Sequence, residues 1–143
     1  MLVNQIMNKS VVSVSPDEST SFAARLLNRH NIGSVPVCSQ DGKLHGILTD
    51  RDITLRCVAA ENDPKSTRVR DIMSTNVACV SPSDDIVSAS NLMAQRQVRR
   101  LPVVDSGRVV GIVSLGDIAK NMPSKSGVGQ TLNDISENIR SAR

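Results

Sequence analysis

The sequence predicts an α/β chain of the α+β kind, built from two β-α-β-β-α units related by a pseudo-twofold axis and packed through their sheets. Three observations carry that prediction. The first is an internal repeat: Val3, Ile6, Met7, Val11, Val14, Ser15, Pro16, Ala23, Leu26, Pro36 and Val37 recur in order as Val69, Ile72, Met73, Val77, Val80, Ser81, Pro82, Ala89, Leu92, Pro102 and Val103. After a one-residue deletion, Gly42, Gly46, Ile47, Asp52 and Ile53 recur as Gly107, Gly111, Ile112, Asp117 and Ile118. The second is that apolar residues inside each copy switch between strand and helix spacing in the same sequence of steps. The third is size: one unit alone leaves an apolar sheet face bare, and a homologous unit can cover it.

Each copy opens on a short apolar run, in SVVSVSPDEST and in NVACVSPSDDI, and Ser-Pro stops it. These runs read as strands. Phe22, Ala23, Leu26 and Leu27 then fall at helical spacing, matched by Ala89, Leu92 and Met93. The stretches GSVPVCSQDGKLHGILT and RRLPVVDSGRVVGIVS each read as strand, turn, strand. Asp41-Gly42 and Ser106-Gly107 supply turn residues that tolerate a positive φ. A second helix starts near Asp50 and near Leu115. The expected units span residues 3–56 and 69–121, with a polar connector over 57–68 and a tail over 122–143. In that tail Leu132, Ile135 and Ile139 share one stripe. It either frays or ends in a short helix that docks on a partner subunit.

Composition removes several classes. Phe22 is the only aromatic residue, so there is no platform on which single-stranded bases could stack. The formal net charge is +3, and Lys and Arg are spread along the chain instead of gathering in a stripe, so no nucleic-acid partner is expected. Cys38, Cys57 and Cys79 form no CxxC pair and no Cys/His set at zinc spacing. Cys38 and Cys79 lie in apolar runs, where a free thiol acts as a small buried hydrophobe. A redox sensor built on the three thiols would change its oligomeric state with reducing agent. The odd cysteine count, the missing signal segment and the lack of any run of membrane-span length point to a cytoplasmic protein without a membrane partner.

The chemistry concentrates in His45–Ile53, HGILTDRDI, which returns as Val110–Ile118, VGIVSLGDI. Both place a hydroxyl three residues before an aspartate: Thr49 with Asp52, and Ser114 with Asp117. That spacing is a helix capping box, in which the hydroxyl accepts an amide hydrogen and the carboxylate reaches back. The same geometry also suits a nucleoside phosphate. A hydroxyl at a helix start can donate to a phosphate oxygen, and a carboxylate one turn on can accept from both hydroxyls of a ribose. Gly46 and Gly111 leave room for a ligand or a neighbouring strand. The residues alone leave both readings open.

These two stretches, the VPV and LPV strands before them and the DIM…V…VSP opening of the second copy resemble a tandem pair of cystathionine-β-synthase-type (CBS) domains, a Bateman module. The resemblance covers residues 3–121. It implies a regulatory or sensor module that requires no cofactor and binds an adenine nucleotide (AMP, ADP, ATP or S-adenosylmethionine) in a cleft between the paired units. By the same resemblance Asp52 and Asp117 hold ribose, Thr49 and Ser114 hold phosphate with Arg99 and Arg100, and Val11 and Val77 line the adenine pocket. It also implies a homodimer and a downstream protein partner. Gly33-Ser34 stand in the first copy where Arg99-Arg100 stand in the second, and Asp50-Arg51 where the second has Leu115-Gly116. One occupied site is therefore expected before two. The alternative is a ligand-free interaction module that dimerises, its hydroxyl–carboxylate pairs serving only as caps.

Other candidates carry less. His30 and His45 have no second ligand at metal spacing. Met7 and Met73 read as core filler. Arg96, Arg99 and Arg100 form either a solvated helix end or an anion site. No catalytic triad, nucleophile elbow, P-loop or dinucleotide fingerprint is present. Asp52 and Asp117 are too alike to be an acid–base pair driven to different pKa values, so no enzyme is expected.

Overall fold

Proline placement and the two duplicated turns decide how the strands pair. The computed structural model describes residues 1–122, so the tail expected over 122–143 lies outside the described residues from 123 onward. The described chain divides into two compact units, one of Val12–Val77 and the other of Met1–Val11 with the described residues from Ala78 onward. These packing units are not the two sequence copies. Each copy contributes its opening segment to the core of the other.

In the unit Val12–Val77, helix α1 (Thr20–His30) starts at Ser19, whose hydroxyl accepts from the Phe22 amide, and ends at Asn31 in the left-handed conformation. Strands β1 (Ser34–Cys38) and β2 (Leu44–Thr49) pair antiparallel, with Val37 opposite Gly46. Helix α2 (Asp50–Ile53) runs on as a π-helical turn over Thr54–Val58. That turn reaches into the stretch expected as connector and buries Cys57 completely. Helix α3 (Val69–Ile72), from the second copy, closes this unit. Val69 and Ile72 share its core with Val14, Ala23, Leu27, Val35, Val37 and Leu48. Each Val, Leu or Ile among them contributes about 1.5–3 kcal/mol over leaving it in water.

The other unit repeats the plan. Helix α4 (Ile86–Arg96) is capped by the Asp85 carboxylate on the Val87 amide and ends at Gln97 in the left-handed conformation. Strands β3 (Arg100–Asp105) and β4 (Arg108–Ser114) pair antiparallel, and helix α5 (Leu115–Asn121) follows. Val3, from the first copy, joins Val80, Ile86, Ala89, Met93, Leu101, Val103, Val113, Leu115 and Ile118 in this core. Equivalent backbone bonds fasten both exchanged segments. The Thr20 amide donates to the Thr67 carbonyl at 2.8 Å, and the Ile86 amide donates to the Met1 carbonyl at 3.1 Å.

The one-residue deletion between copies lies in the hairpin turn. Ser39 and Lys43 close a longer turn with Gly42 at φ 84°, whereas Asp105 and Arg108 close a two-residue turn with Ser106 at φ 54° and Gly107 at φ 80°. The latter is the primed turn that matches strand twist.

Three expectations need correction. The opening runs are not extended strands. Each shrinks to a single parallel bridge, Val14 to Val37 and Val80 to Val103. Proline explains the loss: the next donor in each ladder would be the amide of Pro36 or Pro102, and proline has none. Phe22 is 40% exposed, although helical spacing groups it with Ala23, Leu26 and Leu27; Ala23 and Leu27 carry the buried face. Cys79 is exposed while Cys57 is buried with Cys38. Val80 is the inward residue of its bridge, so Cys79 beside it points the other way.

Among the described residues, no helix is long and apolar enough to cross a membrane.

Candidate functional site

Each hydroxyl–carboxylate pair sits where a strand turns into a helix, and in both units it closes a capping box. The Asp52 amide donates to Thr49 Oγ1 at 3.0 Å, and the Thr49 amide donates to Asp52 Oδ2 at 3.0 Å. The Asp117 amide donates to Ser114 Oγ at 3.0 Å, and the Ser114 amide donates to Asp117 Oδ2 at 3.1 Å. Capping is therefore real at both corners, and each cap occupies Oδ2 alone. What differs is the second carboxylate oxygen.

At Asp52, Oδ1 has company. Ser74 Oγ lies 3.4 Å away and Arg56 Nε 4.0 Å away. Arg56 also donates through Nη1 to the carbonyls of Ile72 at 3.1 Å and Met73 at 3.2 Å. Asp52 is consequently almost fully buried, at 8% exposure. In the other unit the position of Ser74 is taken by Asn8, and that of Arg56 by Asn121, which donates to the Asp117 backbone carbonyl at 2.8 Å. Asp117 is half-buried, and its Oδ1 has no hydrogen-bond partner among the described residues. Of the two carboxylates, Asp117 is the one ready to accept new donors.

The exchanged segments form the wall beside each corner. Ile47 and Ser74 bond reciprocally, both at 2.9 Å, so the run through Val77 passes beside the end of β2. Asn8 and Ile112 do the same at 2.8 and 2.9 Å, which brings the run through Val11 beside β4. Val77 thus belongs to the Thr49–Asp52 unit and Val11 to the Ser114–Asp117 unit, and both are half-buried. Gly46 and Gly111 serve this approach. A Cβ at Gly46 would lie 2.7 Å from the Ser74 carbonyl oxygen, and one at Gly111 2.6 Å from Met7 Sδ. Of the two uses open to these glycines, the structure shows them admitting a neighbouring segment.

The basic pair is gathered at one corner. Arg100 pairs with Ser114 across the β3–β4 hairpin, and the Arg99 carbonyl accepts from the Leu115 amide at 2.8 Å. Both arginines are exposed. At the other corner Ser34 pairs with Thr49, and the Gly33 carbonyl accepts from the Asp50 amide at 2.9 Å. The Asp50 carboxylate lies against Gly33, within 3.2 Å of where a Cβ would stand. Ser74 and Arg56 were missed from the sequence. The Asp52/Arg56 spacing of four residues was visible there, but Ser74 is brought in only by the segment exchange. Among the described residues no three His, Cys, Asp or Glu side chains gather to hold a metal ion.

Two stretches, residues 3–58 and 69–124, match the family model of the CBS domain. The chain belongs to the CBS domain family and carries two such domains in tandem. It is 46% identical over 134 residues to CBS domain-containing protein YhcV of Bacillus subtilis, covering 94% of each chain. Its fold is similar to the crystal structure of Hypoxic Response Protein I with two coordinated zinc ions, with a TM-score of 0.79, 37% identity, and 86% of this chain and 100% of that one covered. It is also similar to the CBS domain pair of protein MJ0100 in complex with 5-methylthioadenosine and S-adenosyl-L-methionine, with a TM-score of 0.73, 31% identity, and 85% and 94% covered.

Proposed function

We propose that this protein is a regulatory module that binds an adenine nucleotide and acts by binding, without catalysis. The observation that carries the reading is the Ser114 corner. There the capping box holds the Asp117 carboxylate by Oδ2, leaves Oδ1 without a partner among the described residues, and has two exposed arginines beside it. In this reading Asp117 Oδ1 accepts from the ribose hydroxyls. Ser114 Oγ already accepts the Asp117 amide hydrogen, so its own proton is available to a phosphate oxygen. Arg100 and Arg99 supply the countercharge, and the segment ending at Val11 borders the base. Thr49, Asp52 and Val77 form a second, chemically different corner. The similar MJ0100 domain pair, which holds two adenosine-containing ligands, supports the ligand class.

Regulation requires a ligand that binds two states unequally. Association into a homodimer, contact with a downstream protein and a cytoplasmic setting belong to the same proposal. Exposed Phe22, Leu55 and Val58 supply apolar surface for association. Sedimentation velocity with and without AMP tests it: a shift in the monomer–dimer balance supports it, and an invariant monomer removes it.

Calorimetric titration with AMP, ADP, ATP and S-adenosylmethionine, on the native protein and on Asp117→Asn, tests the site. Hydrogen bonds to a charged group contribute about 1.5–3 kcal/mol, so the variant should lose roughly 10- to 100-fold in affinity. Its unfolding temperature without ligand should stay within about 2 °C, because Asn still accepts from the Ser114 amide. A specific observation favours the second reading, a ligand-free interaction module: both aspartates already serve as caps. That reading wins if no nucleotide binds at millimolar concentration, or if Asp117→Asn alters stability and leaves affinity untouched.

A further inference from the structure

The two exchanged segments make the same backbone bonds but are not held equally. The Ile86 amide donates to the Met1 carbonyl at 3.1 Å, the Val3 amide to the Asp84 carbonyl at 2.8 Å and the Asn4 amide to the Pro82 carbonyl at 3.0 Å, and Asn8 and Ile112 bond reciprocally. In the other unit Thr67, Val69, Arg70 and Ser74 repeat these bonds with Thr20, Glu18, Pro16 and Ile47. The difference lies in the side chains. Val69 and Ile72 are both buried, whereas in Met1–Asn8 only Val3 is buried and its companion Ile6 is half-buried.

Polar side chains widen the gap. The Thr20 hydroxyl donates to the Thr67 carbonyl, Arg56 donates to the Ile72 and Met73 carbonyls, and Ser74 Oγ lies 3.4 Å from Asp52 Oδ1. Arg68 and Arg70 both pair with Asp17. Among the described residues, no side chain from outside Met1–Asn8 makes a hydrogen bond to that segment, and its ion pair from the Met1 ammonium to Asp85, at 3.8 Å, is exposed. Local opening starts where such contacts are fewest. The wall of the Thr49 corner is pinned, and the wall of the Ser114 corner is the one that can leave.

We infer that Met1–Asn8 is a detachable strap, and that its docked and undocked forms are the two states a nucleotide tells apart. This rests on the nucleotide-binding reading above and names the regulation of that site. Ile112 stands two residues before Ser114 on β4, and from Asn8 the chain runs through exposed Lys9 and Ser10 to Val11. Undocking parts Asn8 from Ile112 and takes the border of the base with it, so nucleotide binds the docked form alone. Occupancy holds the strap down. An empty corner lets it lift and bare the part of the core that Val3, Ile6 and Met7 cover.

The experiment is native-state hydrogen exchange of the full chain, read by NMR with and without AMP. Without ligand, the Val3, Asn8 and Ile112 amides should be at least about tenfold less protected than their counterparts Val69, Ser74 and Ile47. AMP at about 100 times its dissociation constant should raise protection of the first three about 100-fold, because it binds only the docked form. Val3→Asp should undock the strap and lower AMP affinity at least about tenfold, while Val69, Ser74 and Ile47 stay protected. A second variant pins the strap. Leu2 and Asp85 face each other as a non-hydrogen-bonded pair, a spacing that a disulfide spans. Leu2→Cys/Asp85→Cys, with Cys79→Ser, should when oxidised protect Asn8 and Ile112 without AMP, and should lose that protection when reduced. Four results overturn the inference while leaving nucleotide binding intact: equal protection of the two segments, AMP binding that leaves the strap amides unchanged, Val3→Asp binding AMP as the native protein does, or a cross-link that alters neither amide. No binding of AMP overturns the nucleotide reading, and the coupling with it.

Discussion

Gly46→Ala bears hardest on the exchanged segments. Its Cβ would lie 2.7 Å from the Ser74 carbonyl oxygen and 2.9 Å from Met73 Sδ. Carbon–oxygen contacts settle at about 3.3 Å or more, so the Ser74 backbone must retreat by roughly 0.6 Å. The methionine side chain can turn away, but the carbonyl cannot, because it accepts from the Ile47 amide at 2.9 Å. Overpacking costs about 1–3 kcal/mol, and loosening the two Ile47–Ser74 bonds adds about 1 kcal/mol. Alanine returns about 0.4–1 kcal/mol through the unfolded chain. The net loss is about 1–3.5 kcal/mol, or roughly 3–14 °C in unfolding temperature for a chain of this size. At Gly111 the two nearest atoms belong to the Met7 side chain, and the Asn8 carbonyl oxygen stands back at 3.2 Å. Gly111→Ala should therefore cost about 1 kcal/mol or less. With no Trp or Tyr in the chain, far-ultraviolet circular dichroism and scanning calorimetry are the assays. Equal losses at the two glycines, or a Gly46→Ala protein that melts within about 2 °C of the native one, would refute the placement of Ser74.

Other sites give sharper single outcomes. Gly116→Ala meets only Ser114 Oγ, at an ordinary 3.7 Å, and lies inside α5; calorimetry should find it more stable by about 0.5 kcal/mol. Thr20→Val removes a buried hydroxyl that donates to the Thr67 carbonyl at 2.9 Å, and denaturant unfolding should show a loss of about 1 kcal/mol. Iodoacetamide followed by mass spectrometry should label Cys79 in the folded protein and reach Cys38 and Cys57 only on unfolding. Burial raises the Cys38 thiol above its usual range, outweighing the hydrogen bond with the Ser13 side chain, which pulls the other way. The unfolded chain therefore releases that proton first and holds fewer protons. Stability should fall as pH rises through the ordinary thiol range, and Cys38→Ala should flatten that slope.

What could be read from the sequence was whatever depends on near neighbours. Helical spacing, the Asp41-Gly42 and Ser106-Gly107 turns and the Ser/Thr-x-x-Asp caps all act within a few residues, and the structure bears them out. The exchange of opening segments was hidden for a definite reason. Val3-x-x-Ile6-Met7 and Val69-x-x-Ile72-Met73 are the same motif, so either copy satisfies either core and the apolar pattern cannot say which is chosen. The short bridges at Val14 and Val80 depend on proline residues some twenty positions further along. Cys57 enters the core from a π-helical turn inside the stretch expected as polar connector. At the site, the hydroxyls and carboxylates were legible, whereas the second oxygen of each aspartate was not. At one corner it meets Ser74 and Arg56, and at the other it has no hydrogen-bond partner among the described residues.

That second oxygen separates folding from recognition. Each capping box needs one hydroxyl oxygen and one carboxylate oxygen, and contributes on the order of 1 kcal/mol with nothing bound. It therefore holds the Thr or Ser and the Asp in place in both units, whatever the corner binds. Residues outside the box are under no such demand. Gly33 and Asp50 can stand for Arg99 and Leu115, and Ser74 and Arg56 for Asn8 and Asn121, without disturbing a cap bond. Because the cap draws on Oδ2 and the diol would draw on Oδ1, recognition can change at one corner while both helices keep their starts. A duplicated chain with identical caps and unequal surroundings is what that division of labour permits.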